Sequence, residues 1–282
     1  MKALTSPVLY HFPDAVRDDT EQLVTLEAGD PRVHGVTFIV GGKSITARPG
    51  NVTRSTVLRY FPTHSAFGLR EAGIEINLAD PLLAVLRGAN FNSLRIITDA
   101  HDLPFSAVPH GALVQKCREQ SRDIEGIQAI GEPYLANGGN GSRLEYQPQP
   151  TDKLIINAAV HYPPPIGEQH ARWVEGDPDA DRFADTHCNV SGLPHILLTR
   201  LLRMKFGRAL GRKLTLVQQR VLPEEVNAKE NEVAWHLVQT VLAAVSLLEY
   251  QLAGTISAVR ASNKQLLEIV RFLDARGLMQ VR

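Results

Sequence analysis

The chain has 282 residues, of which 44% are hydrophobic and 21% charged, with 30 basic side chains balanced by 30 acidic ones. That composition excludes wholesale disorder, and the even charge balance excludes a protein that coats nucleic acid or an acidic membrane by bulk electrostatics. Two cysteines, Cys117 and Cys188, without CxxC spacing argue against a disulfide scaffold. No apolar run of the signal-peptide kind stands near the N-terminus, so the reading is a soluble, cytoplasmic protein.

The first part reads as β-rich. Residues 36–40 and 43–47 are strand-like runs around Gly41-Gly42, a hairpin pattern. A short helix suits 82–86, a strand 93–98, and a helix 107–130, where Leu113, Cys117, Ile124 and Ile127 fall near helical spacing. The glycine-rich segment 137–142 is the candidate internal boundary, dividing a β-rich region 1–136 from a region 143–282 that can also be continuous with it. A buried strand follows at 153–160, and then a polar stretch at 167–189 that is too long for an ordinary connection.

The C-terminal third reads as helical. A helix is expected over 193–210 and a strand over 214–221. From Val226 to Val259 apolar residues recur at threes, fours and a seven, predicting one long helix. The stretch from 233 to 259 has no Lys or Arg, but His236, Gln239, Glu249 and Gln251 are costly in hydrocarbon, so it reads as buried in protein and not in a membrane. A last helix spans 264–276, with Asn263 as its cap and Gly277 as its stop. The fold class is therefore α+β, with a β-rich front and a helical rear.

Two clusters carry the candidate chemistry. Between 161 and 195 lie His161, His170 and His187 as acid–base candidates, and Asp177, Asp179 and Asp181 as ligands for a divalent cation, Mg, Mn or Zn. The string Asp-Pro-Asp-Ala-Asp-Arg at 177–182 resembles the metal-binding loop of phosphohexomutases, in which three aspartates hold magnesium beside a phosphoserine. The resemblance covers six residues, and that family's Thr-Ala-Ser-His-Asn-Pro segment is absent. The second cluster, Arg200, Arg203, Lys205, Arg208, Arg212 and Lys213, is a run of cations without an acid, suited to phosphate groups. His101-Asp102 with His110 is a smaller group.

Other motifs fail. Gly42-Lys43-Ser44 resembles the end of a P-loop, but Thr37 stands where its first Gly belongs. No GxSxG elbow occurs. The leading expectation is a metal- or histidine-assisted enzyme, such as a hydrolase, on a phosphate-containing substrate (a nucleotide or nucleic acid). The alternative is a non-catalytic RNA- or protein-binding subunit, with the 226–259 helix offering its stripe to a second copy or another chain of a complex.

Overall fold

In the computed structural model the described residues are 1–13, 21–30, 35–57, 61–91, 93–103, 110–125, 128–139, 141–162, 164, 166–177, 215–217, 220–222, 231–276 and 279–281. The first part holds β1 (Lys2–Leu4), β2 (Val8–Pro13), β3 (Glu21–Ala28), β4 (Gly35–Val40), β5 (Lys43–Thr46), β6 (Val52–Val57), β7 (Phe61–Glu71) and β8 (Ile74–Ile76). There follow helix α1 (Asp80–Gly88), β9 (Ser93–Thr98), helix α2 (His110–Glu119) and β10 (Ser121–Asp123). The second part holds β11 (Gln128–Ile130), β12 (Tyr134–Asn137), β13 (Arg143–Gln147), β14 (Leu154–His161), β15 (Glu168–Val174), β16 (Thr215–Val217) and β17 (Arg220–Leu222). Helix α3 (Glu232–Val245), β18 (Gln251–Leu252), β19 (Gly254–Val259), helix α4 (Asn263–Arg276) and β20 (Met279–Val281) complete it.

Two five-stranded sheets share one plan. Their strand orders are β2-β3-β9-β4-β5 and β12-β13-β19-β14-β15. In each, the central strand is antiparallel to one neighbour and parallel to the other: β9 to β3 and β4, β19 to β13 and β14. A helix precedes that strand in both (α1, α3), with only β18 intervening in the second, and a helix follows it in both (α2, α4). Among the described residues the two halves thus share a ββββαβα order, to which the first adds the three-stranded sheet of β6, β7 and β8 and the second adds the β16–β17 pair.

Strand alternation decides which face is covered. Val36, Phe38 and Val40 of β4 are buried while the residues between them are partly exposed, and Leu154, Ile156, Ala158 and Val160 of β14 behave alike. Gly41 and Gly42 both have positive φ, 54° and 78°, the conformation that lets a two-residue turn follow strand twist into β5. Helices α1 and α3 lie against each other, and α3 also packs on β14, β15 and α4. Side chains from both five-stranded sheets and the four described helices form a single buried cluster.

Several expected elements differ. The stripe at 226–259 is divided: α3 ends at Val245, and β19 takes 254–259 as a central strand. Leu252 and Ile256, four residues apart, fit an alternation of two as readily as a helical spacing, so periodicity alone could not separate the two. Positions 232–234, 237–239 and 241–245 of α3 are buried within the chain, so that helix leaves no stripe for a partner. The helix expected over 107–130 is the ten-residue α2; β10 and β11 follow it because their pairing strands, β1, β18 and β20, lie far away in sequence. The stretch expected as one strand over 214–221 is a β16–β17 pair, and the polar stretch at 167–189 opens with strand β15. Segment 137–142 turns β12 back onto β13, with Gly138 N donating to Ser142 O at 2.8 Å. Helix α4 is capped by Ser262, whose Oγ accepts from Gln265 N at 3.3 Å while Gln265 Oε1 accepts from Ser262 N at 3.0 Å, a reciprocal box one residue before the expected cap. The helix expected over 193–210 lies outside the described residues.

Candidate functional site

Helices line the inner face of the second sheet, so its outer face is where polar side chains gather. Register places Glu145, Ser257, Asn157 and Arg172 in one row across β13, β19, β14 and β15, and Arg143, Val259, Ala159 and His170 in the next. Between the rows lies an open depression of about 440 Å³, lined by Asn157, Ala159, His170, Arg172, Ser257 and Val259. Small side chains at Ala159 and Ser257 form its floor, because larger ones there would fill it.

Charge in these rows is uneven. Gln147 Nε2 and Arg143 Nη2 donate to the Glu145 carboxylate at 2.6 and 2.7 Å. The Gln147 hydrogen bond, then the Arg143 one, holds that carboxyl below the usual range. Glu145 is thus satisfied by its own strand. Arg172 is exposed and has no ionic partner among the described residues. His170 Nε2 lies 3.1 Å from Glu168 Oε1, with both side chains about two-thirds exposed (67% and 64%). A carboxylate at Nε2 favours the tautomer with its proton there and leaves Nδ1 as an acceptor.

Of the expected site residues, the structure places His161, His170 and Asp177. His161 ends β14 on the same outer face, with Glu168 as its cross-strand partner. Asp177 is exposed just beyond Gly176, at the other end of β15 from Glu168. At 3.3 Å per residue, strand β15 holds Asp177 and His161 at opposite ends of the hairpin, roughly 20 Å apart, so these two do not converge. His187, Asp179, Asp181, Arg200, Arg203, Lys205, Arg208, Arg212 and Lys213 lie outside the described residues. Among the described residues no group of three or more His, Cys, Asp or Glu could hold a metal ion.

The neighbouring candidates have structural partners. Glu175 is 4% exposed, and its carboxylate takes Arg87 Nη1 at 2.8 Å, Leu154 N at 3.1 Å and the Gln251 amide. His101 Nδ1 is 3.0 Å from the Glu75 carbonyl, and Asp102 Oδ1 accepts from Asn77 Nδ2 at 2.7 Å, so that adjacent pair points to separate partners. Burial pushes the Cys117 thiol up to about 12, which makes it a poor nucleophile.

Asn157, Arg172 and Ser257 are the site residues that sequence reading missed. A signal for two of them existed: alternation along β14 and β15 puts Asn157 and His161, and Glu168, His170 and Arg172, on one face once both segments are read as strands. Ser257 had none, since its segment reads as helix. Compared with known proteins, the chain matches no family model, and no curated protein matches it.

Proposed function

We propose that the protein binds a phosphate-bearing ligand, such as a nucleotide, in the depression on the outer face of its second sheet. The observation that carries this reading is the row of Arg172, Asn157 and Ser257 beside His170: a cation without an ionic partner among the described residues, two neutral donors and an imidazole around a floor of small side chains. Arginine's planar fork suits phosphate oxygens, and its charge-assisted hydrogen bonds are the stronger kind.

Calorimetric titration with pyrophosphate and with ATP at low salt tests it. Arg172→Ala should weaken binding about tenfold or more, the equivalent of a lost charged hydrogen bond of roughly 1.5–3 kcal/mol. An unchanged affinity in that variant, or no binding by the native chain, refutes the reading. The Glu168–His170 contact favours a second reading, acid–base catalysis on the bound ester with Nδ1 of His170 as base. Hydrolysis of a phosphate ester that His170→Asn leaves intact would rule it out.

A further inference from the structure

We propose that the ligand of this depression is a ribonucleoside triphosphate, laid along one row of the second sheet with its base on Leu135, its ribose at Glu145 and its phosphates running to Arg172. The inference rests on the phosphate reading above and adds to it a direction and a second end. Register puts Leu135, Glu145, Ser257, Asn157 and Arg172 side by side on the outer face, one residue from each of the five strands. The row therefore passes from an apolar side chain to an acid, a hydroxyl, an amide and a cation.

The chemistry of such a nucleotide changes in the same order. Leu135 is 55% exposed on the edge strand β12, and an exposed leucine gives a base an apolar surface to cover. Glu145 stands beside it, with 21% of its side chain exposed. Each of its carboxylate oxygens holds one donor, Gln147 Nε2 on Oε1 and Arg143 Nη2 on Oε2, and keeps a lone pair for another. A carboxylate with that capacity accepts from a ribose hydroxyl, as acidic side chains do in dinucleotide sites. It also repels phosphate, so the polyphosphate runs the other way, over the neutral donors Ser257 and Asn157 to the Arg172 guanidinium.

Separation of the two charges matters. On the first sheet Glu27 and Arg95 lie on neighbouring strands, 3.5 Å apart, and pair with each other. On the second, three strand spacings of about 4.8 Å, roughly 14 Å in all, part Glu145 from Arg172, so neither neutralises the other and both are left to a ligand. That span, less the reach of the two side chains, suits a chain of three phosphates better than a single one.

Calorimetric titration of the full chain with ATP, 2′-deoxy-ATP and inorganic tripolyphosphate separates the two ends. ATP should bind about tenfold or more tighter than 2′-deoxy-ATP, as a lost hydrogen bond to a charged acceptor requires, and tighter still than tripolyphosphate, which has neither ribose nor base. Glu145→Ala should abolish the preference for ATP over 2′-deoxy-ATP. Leu135→Ser, at a side chain already exposed, should narrow the gap between ATP and tripolyphosphate. Tripolyphosphate bound as tightly as ATP, equal affinities for ATP and its 2′-deoxy form, a ribose preference that survives Glu145→Ala, or an ATP affinity indifferent to Leu135→Ser would each overturn the proposal while leaving the phosphate site standing. Tripolyphosphate binding that ignores Arg172→Ala would instead refute the phosphate reading, and this inference with it.

Discussion

Arg87 is 2% exposed, near the end of α1, and its ion pair with Glu175 ties the first unit to the second. Its Nε and Nη2 have no hydrogen-bond partner among the described residues, so the guanidinium leans on Glu175 for its compensation. Removing either member strands a buried charge. Arg87→Met should therefore cost about 3–5 kcal/mol in urea unfolding, and the Arg87→Met/Glu175→Leu double variant clearly less, since an apolar pair leaves no charge behind. A loss below about 1 kcal/mol in the single variant would deny the pair this role. Cys117 makes a pH prediction. Burial raises its thiol from 9.0 to about 12, so the unfolded chain loses that proton first as pH rises. The associated stability is present below about pH 9 and lost through about pH 12. Burial also raises Tyr146 and Tyr250, adding loss in the same direction. Denaturant titrations across that range should show stability falling with pH, with a shallower slope in Cys117→Val.

At the scale of elements, the turn into β19 depends on one glycine. Gly254 has φ +121°, and a Cβ there would meet the Gln147 carbonyl at 2.6 Å and the Tyr146 ring at 3.0 Å. That ring is fixed in turn, because Tyr146 Oη donates to Ala253 O at 2.6 Å and accepts from Gly131 N at 3.2 Å. Gly254→Ala should cost about 1–3 kcal/mol from backbone strain alone, and more from the clash, read as a lower melting temperature. Helix α3 shows how distant strands complete a helix. Asn231, at its N-cap position, is left-handed and makes no side-chain cap, and Gln169 Oε1 on β15 accepts from Val233 N at 3.0 Å and Ala234 N at 3.4 Å instead. No local pattern around residue 231 could have shown that cap.

For the whole molecule, packing joins the two copies of the repeat. The α1–α3 contact, the Arg87–Glu175 pair and the shared buried cluster cross between the copies. Heat unfolding should accordingly be a single transition, with calorimetric and van't Hoff enthalpies equal. Two resolved transitions would show that these contacts are too weak to couple the units.

By itself the sequence determined the α+β class, the β4–β5 hairpin, strands β9 and β14, and the last helix. Each of these rests on a local pattern, such as a Gly-Gly turn or a run with one clear period. It also put His161 and His170 among the residues worth attention. Only the tertiary structure decided that the stretch after α3 is a central strand, since its apolar residues satisfy two periods and the free edges of β13 and β14 chose between them. The repeat was hidden for a related reason: hydrogen bonds between strands far apart define it, and no recurring residues do. The same holds for the site, where Arg172, Asn157 and Ser257 become neighbours because three strands come into register, a relation that spacing along the chain does not encode.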